Sequence, residues 1–429
     1  MKGRRALFLT LVLRVVNAGG QVAISLILLK AYGPEAVGYF AIFLSNTMLA
    51  SLVSRRGFDR TLTLFAVRPK ASQYALPLFR TYARNIALWT PLVGLLNLLI
   101  YQATIAQPPA IGTMVALVLA PTMVALSSLA AGYFTGAGRT IAATLQQPGF
   151  SVAVTALVLA LCFSLGIALD VVVTYFAVAT CLALFGMQRL LRRMAAERSA
   201  SAGTGDRAKR RMYRMALHYS RRYLVINFFT TFSSVYFISF LALFVPNDAI
   251  GQFRVVERLA LVIAFNLTFI NIILPARAIG QRLANDLSQF DRAMRHTFLF
   301  QYATGFGIFL VYVAFARQIM AWIEVYDLAL YLLPLTAQLI NALTGPVRVI
   351  LMYMKGQRVL QVSAIIETLG SALLYWVLYD TYGMVGLAVA YFLAISLPNI
   401  ILAGIVYKRF GVVPLPFVSQ AAGPRSTRN

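Results

Sequence analysis

Arg14, Arg254, Glu257, Arg258, Arg348 and Glu367 stand inside stretches of sequence that are otherwise almost free of charge. An ionised side chain in such surroundings is costly unless it faces water, a ligand or an opposite charge, so each is a candidate for chemistry. Asn17, Gln21 and Ser25 follow Arg14 at offsets of three, seven and eleven, which puts all four on one helical face. As cavity lining, that face suits an anionic group; otherwise Arg14 snorkels to the headgroups and the amides join neighbouring helices. Arg254 and Arg258 share a face, and Glu257 can pair with either, so one positive charge survives pairing. Ligand binding and a structural ion pair are both open there. Glu367 is expected to be protonated or paired, and Glu367 and Glu257 are the candidates for proton or sodium coupling. Asn227, Thr230, Thr231 and Ser234 form a polar stripe that fits a hydroxyl-rich ligand or helix packing. Arg348, just after Gly345 and Pro346, is expected to snorkel from a kinked helix, and Pro121 marks a second expected kink.

Other chemistries find no residues to carry them. The chain has no GxxxxGK[ST] loop for nucleotide phosphates. His218 and His296 stand at expected helix starts with no constellation around them that would make a metal site or a catalytic triad. Cys162 and Cys181 fall in apolar stretches and read as packing residues. No catalytic site, metal or cofactor is expected.

The elements that must position these residues are membrane helices. The chain has 429 residues, is 60% hydrophobic and only 12% charged, and has a mean hydropathy of +0.76. A soluble domain carries roughly 25% charged residues. Apolar runs recur along the whole length, at 6–30, 36–54, 85–104, 111–133, 143–166 and 171–188, then 223–245, 253–275, 297–316, 329–351, 359–379 and 384–407. The expected fold is therefore all-α and polytopic, with about twelve transmembrane helices.

The net charge of +25 raises the question of a nucleic-acid partner, and the placement of the charge answers it. Of the 38 Lys and Arg, all fall in segments that alternate spans place on one side, except Lys30 and Arg317 opposite and the four arginines within spans. A nucleic-acid patch would not alternate with helix number, so no nucleic acid is expected. The pattern places both termini in the cytoplasm of a multi-pass protein. Residues 1–198 are expected to form a first half and 215–410 a second. A basic linker at 199–214 would join them, and 411–429 would be a cytoplasmic tail.

The halves echo each other. YGPEAVGYF from Tyr32 parallels VPNDAIGQF from Val245, with Ala36, Val37, Gly38 and Phe40 against Ala249, Ile250, Gly251 and Phe253. GYFTGAGR ending at Arg139 parallels MYMKGQR ending at Arg358. Six spans per half make this a parallel repeat.

These motifs, in this order, resemble the polysaccharide (O-antigen-type) flippases of the multidrug/oligosaccharidyl-lipid/polysaccharide exporter superfamily. The resemblance rests on EAVGYF from Glu35, RGFDRTL from Arg56, the connector RLANDLSQFDRAMRH from Arg282, and YGMVGLAVAYF from Tyr382. It covers essentially the whole chain. It implies two six-helix bundles facing a central cavity, working by alternating access in a bacterial inner membrane. The implied cargo is an undecaprenyl-pyrophosphate-linked oligosaccharide, moved from the cytoplasmic to the periplasmic leaflet for lipopolysaccharide or exopolysaccharide synthesis. Membrane lipids and the pathway's glycosyltransferases and glycan polymerase are the implied partners. In that setting the diphosphate would fall to Arg14 and an arginine of the eighth span, and sugar to the polar stripes. The alternatives are a cation-coupled small-molecule exporter and a membrane-embedded glycan polymerase or ligase. The short outer loops argue against the latter, and the lack of an acid in the first span argues against an antiporter.

Overall fold

The computed structural model describes residues 2–67, 69–104, 109–198, 206–231, 237–265, 267, 287–353 and 356–410. The first part of the expected linker, 199–205, the far part of the eighth expected span, Ser234, the start of the connector at Arg282 and the tail 411–429 lie outside the described residues. The described chain is helical throughout, and its contacts divide it into two compact units, Met1–Gly251 and Gln252–Asn429.

In the first unit, α1 (Lys2–Arg55) is broken at Gly33, which adopts φ 84° and is followed by Pro34. Its apolar part, Val12–Arg55, is 44 residues, about 66 Å of helix at 1.5 Å per residue. A hydrocarbon core is about 30 Å thick, so this length makes two crossings and the break is the turn between them. Next come α2 (Phe58–Val67), α3 (Pro69–Thr104), α4 (Ile111–Gly136), α5 (Thr140–Leu145), α6 (Pro148–Ser164) and α7 (Val171–Arg198).

The central helix is α4, which packs on α1, α2, α3 and α7. Its sequence explains the position: small residues from Ala125 to Gly132 let neighbouring backbones approach, and nearly all of them are buried. The expected kink at Pro121 does not appear as a break, because α4 runs through that residue. Helix α3 behaves in the opposite way, and its exposed Leu88, Trp89, Leu92, Leu95, Leu96 and Leu99 form a lipid-facing stripe. Asp170 caps α7 by accepting from the amides of Val172 and Val173, and it also accepts from Thr113 Oγ1 at 2.8 Å.

Helix α8 (Asp206–Thr231) packs on α2, and α9 (Phe237–Leu241) packs on α1, so both lie in the first unit. Helix α10 (Asn247–Ile263) starts there and continues into the second.

The second unit continues with α11 (Leu287–Ala314), α12 (Ala316–Trp322), α13 (Leu328–Thr344), α14 (Val347–Tyr353) and α15 (Gln357–Phe410). Helix α11 bends by 74° into α12. Helix α15 repeats the device of α1, since it is too long for one crossing and is broken at Gly383. Both of its limbs thereby match the last two expected spans. The unit's apolar core gathers Phe298, Val347, Leu351, Leu360, Leu402 and Val406.

Candidate functional site

The Arg14 stripe lies on the first limb of α1, which packs along α6. Gln21 Nε2 donates to Asn17 Oδ1 at 3.1 Å, and Ser25 Oγ donates to the Gln21 carbonyl at 3.2 Å. One turn before Arg14, Thr10 and Thr140 share a hydroxyl hydrogen bond of 2.9 Å. Asn17 lies directly over Gly149, where a Cβ would fall on its side-chain oxygen. The amide part of the stripe therefore meets α6, and its polar groups serve one another. Arg14 differs: it is partly exposed, and its Nε is shielded from solvent with no hydrogen-bond partner among the described residues. Asn227 is half-buried in α8.

The remaining candidates converge inside the second unit. Arg254 and Glu257 are 4% and 1% exposed and form an ion pair one helical turn apart on α10. Glu257 thus pairs with Arg254, and the half-buried Arg258 lies within electrostatic reach of Glu257 and Tyr391. Phe253 meets Tyr391 of α15 edge-on, with ring centroids 5.5 Å apart. Tyr391 Oη accepts from Gln338 Nε2 at 2.6 Å, Gln338 Oε1 accepts from Asn341 Nδ2 at 3.0 Å, and Asn341 Oδ1 accepts from Asn399 Nδ2 at 3.0 Å. This chain of amides joins α13 to the second limb of α15 beside the α10 ion pair. Buried amides linked in this way leave no unpaired donor facing hydrocarbon at these bonds, and they fix how the helices register.

The break between α13 and α14 brings in the last pair. Gly345 adopts φ 74°, and Pro346 has no N–H for the carbonyl of Ala342, four residues earlier. The Gln301 amide of α11 donates to that carbonyl, and Tyr302 Oη donates to the neighbouring carbonyl of Leu343 at 3.0 Å. The kink expected at Gly345–Pro346 is present, and α11 adds side-chain donors to the carbonyls at the break, of which Ala342 also accepts from the Gly345 N–H at 3.2 Å. Beyond it, Arg348 Nη2 donates to Glu367 Oε2 at 2.8 Å. Arg348 therefore pairs instead of snorkelling: a carboxylate 5% exposed holds it inside the bundle, with the arginine side chain 33% exposed. Glu367 is paired, one of the two states expected for it.

Gln338, Asn341, Asn399, Gln301 and Tyr302 escaped the sequence reading, which followed charge. The signal available was amides spaced i, i+3 in an apolar helix, as in Gln338 and Asn341. Among the described residues, no three of His, Cys, Asp and Glu gather as metal ligands would. The arrangement offers guanidinium groups, amides and hydroxyls in a low-dielectric interior. Groups of these kinds suit anions and polar ligands.

The architecture is shared with known transporters. The chain matches the MATE multidrug transporter DinF-BH with a TM-score of 0.65 at 14% identity, covering 95% of each chain. It matches the lipid II flippase MurJ in an inward closed conformation with a TM-score of 0.58 at 13% identity, over 93% of this chain and 86% of that one. A MOP superfamily transporter from Pyrococcus furiosus, described as having a binding pocket of reversed polarity, matches with a TM-score of 0.53 at 12% identity, over 93% of both. No protein-family model matches the sequence, and no curated protein matches it. The fold is an all-α, multi-pass membrane fold of the kind these transporters have. It is the fold of the MOP superfamily, to which MATE transporters belong and which the MurJ flippase shares, in agreement with the sequence motifs.

Proposed function

We propose that this chain is a flippase that carries an undecaprenyl-pyrophosphate-linked oligosaccharide from the cytoplasmic to the periplasmic leaflet of a bacterial inner membrane, with both termini cytoplasmic. The observation that carries the reading is the sign of the charge within the spans. Four arginines, Arg14, Arg254, Arg258 and Arg348, accompany two carboxylates, Glu257 and Glu367. A diphosphate needs compensating cations to pass about 30 Å of hydrocarbon, whereas a carrier of organic cations needs the opposite excess. Arg14 and an arginine of α10 take the diphosphate, the polar stripes take sugar, and the isoprenoid stays in the bilayer. Alternating access moves the head, and Glu367 or Glu257 couples it to protons or sodium. Glycosyltransferases supply the cargo, and a glycan polymerase or ligase consumes it. No bond is made or broken by the chain itself.

A cation-coupled small-molecule exporter is the second reading, favoured by the shared fold of the MATE transporters. Leaflet-resolved measurement of lipid-linked oligosaccharide in a deletion strain separates the two. Substrate trapped on the cytoplasmic leaflet, released by the wild-type chain and not by an Arg14→Ala, Arg258→Ala double variant at equal expression, is the expected outcome. Normal periplasmic display without the protein, in a strain lacking a redundant flippase, would leave the exporter reading.

A further inference from the structure

The first unit has a second feature suited to a ligand. A groove of about 550 Å³ is lined by Pro77, Leu78 and Thr81 of α3 and by Met212, Tyr213 and Arg214 of α8. Helix α3 has 36 residues, about 54 Å of helix, and even a tilt of about 40° leaves it longer than a core of about 30 Å. Its Arg-bearing first turns therefore stand at the headgroup level, and the groove stands with them.

Three observations identify the occupant. Pro77, Thr81, Arg84, Leu88, Leu92, Leu95 and Leu99 succeed one another at steps of three and four, so they form one continuous face, and all are exposed. An acyl chain lying along the leucine stripe brings its headgroup to Arg84 and the mouth of the groove. The charge there is of one sign: Arg80, Arg84, Arg211 and Arg214 are exposed, and no acid lines the groove among the described residues. Behind the lining, Tyr82 stacks on Tyr213 with ring centroids 5.8 Å apart. Tyr82 is 1% exposed, and its hydroxyl has no partner among the described residues.

We propose that this groove seats the headgroup of an anionic glycerophospholipid of the cytoplasmic leaflet. Its acyl chains run along the α3 stripe, and its phosphate lies between Arg84 and Arg214. The site ties α8, whose first turns carry the basic residues of the expected linker, to α3 through a lipid. It stands apart from the buried charges assigned to cargo and does not depend on the function proposed for them.

The test uses the full chain purified from bilayers mixing phosphatidylglycerol with phosphatidylcholine, with retained lipid counted by native mass spectrometry. Wild type is expected to retain phosphatidylglycerol selectively, and Arg84→Gln with Arg214→Gln to lower that retention about tenfold. Arg317→Gln, an exposed arginine outside the groove, should retain it like wild type. Thr81→Trp, which fills the groove without changing charge, should also lose it. Melting in phosphatidylcholine alone checks that each variant is folded. Titrating phosphatidylglycerol onto wild type should raise its melting temperature, which tests the site without any variant. Equal retention by wild type and both groove variants, equal retention of the neutral lipid, or displacement by undecaprenyl phosphate at equimolar amounts would each overturn the proposal.

Discussion

Gly38 and Gly251 pack reciprocally: a Cβ on Gly38 would fall on the carbonyl of Asn247, and a Cβ on Gly251 would fall on the carbonyl of Pro34. The four residues are equivalent positions of the two repeated turns, with Pro34 matching Asn247 and Gly38 matching Gly251. The repeat is thus a self-complementary contact, in which each helix start closes over the other, and only glycine allows that approach.

Gly38→Ala is expected to destabilise the protein by about 1–3 kcal/mol, because a backbone carbonyl cannot step aside as a side chain can. Gly370→Ala, where nothing lies within 4 Å, should be neutral or stabilising by about 0.5–1 kcal/mol. Thermal unfolding in one detergent compares the two. Equal effects would show that the reciprocal contact carries no weight.

Removing one member of the Arg348–Glu367 pair leaves its partner without its counter-charge. Glu367→Gln is expected to cost about 1–3 kcal/mol, less than a fully buried pair because the Arg348 side chain is one-third exposed. Replacing both by Met and Leu should recover most of the loss. A double-mutant cycle on unfolding free energy reads the coupling, and additive effects would mean the pair is not formed in the bilayer.

Gln301→Leu removes one of the two donors to the Ala342 carbonyl and leaves it the Gly345 N–H at 3.2 Å, so the cost is that of one buried hydrogen bond, about 0.5–1.5 kcal/mol. In a Pro346→Ala background the helix can supply its own N–H, so the same change should cost less. If the cost is the same in both backgrounds, Gln301 is not compensating for the proline.

Asp170→Ala removes the cap of α7 and the partner of Thr113 together, and should cost about 1 kcal/mol or somewhat more. Asp170→Asn keeps a capping oxygen and should recover most of it. Thermal melting of the three proteins orders them.

The helical, membrane-crossing character of the chain was legible in the sequence, because lipid as solvent imposes a length and a composition that any 20-residue window displays. The glycine–proline pair announced the break at Gly345, since both residues act on their own backbone, and the gap between the first two apolar runs announced a turn where Gly33 stands. The buried charges were also legible, because charge is conspicuous where it is rare. What those charges touch was not. Arg348 of α14 and Glu367 of α15 stand 19 residues apart and meet only where those two helices pack. Gln338, Tyr391 and Asn399 are joined only after α13 and α15 have packed. Local chemistry set where the chain crosses, bends and carries charge. Tertiary structure decided which charges neutralise each other and which, like the Arg14 guanidinium, keep a nitrogen without a partner among the described residues. Pairing depends on ångström distances between residues far apart in the chain, and no periodicity records those.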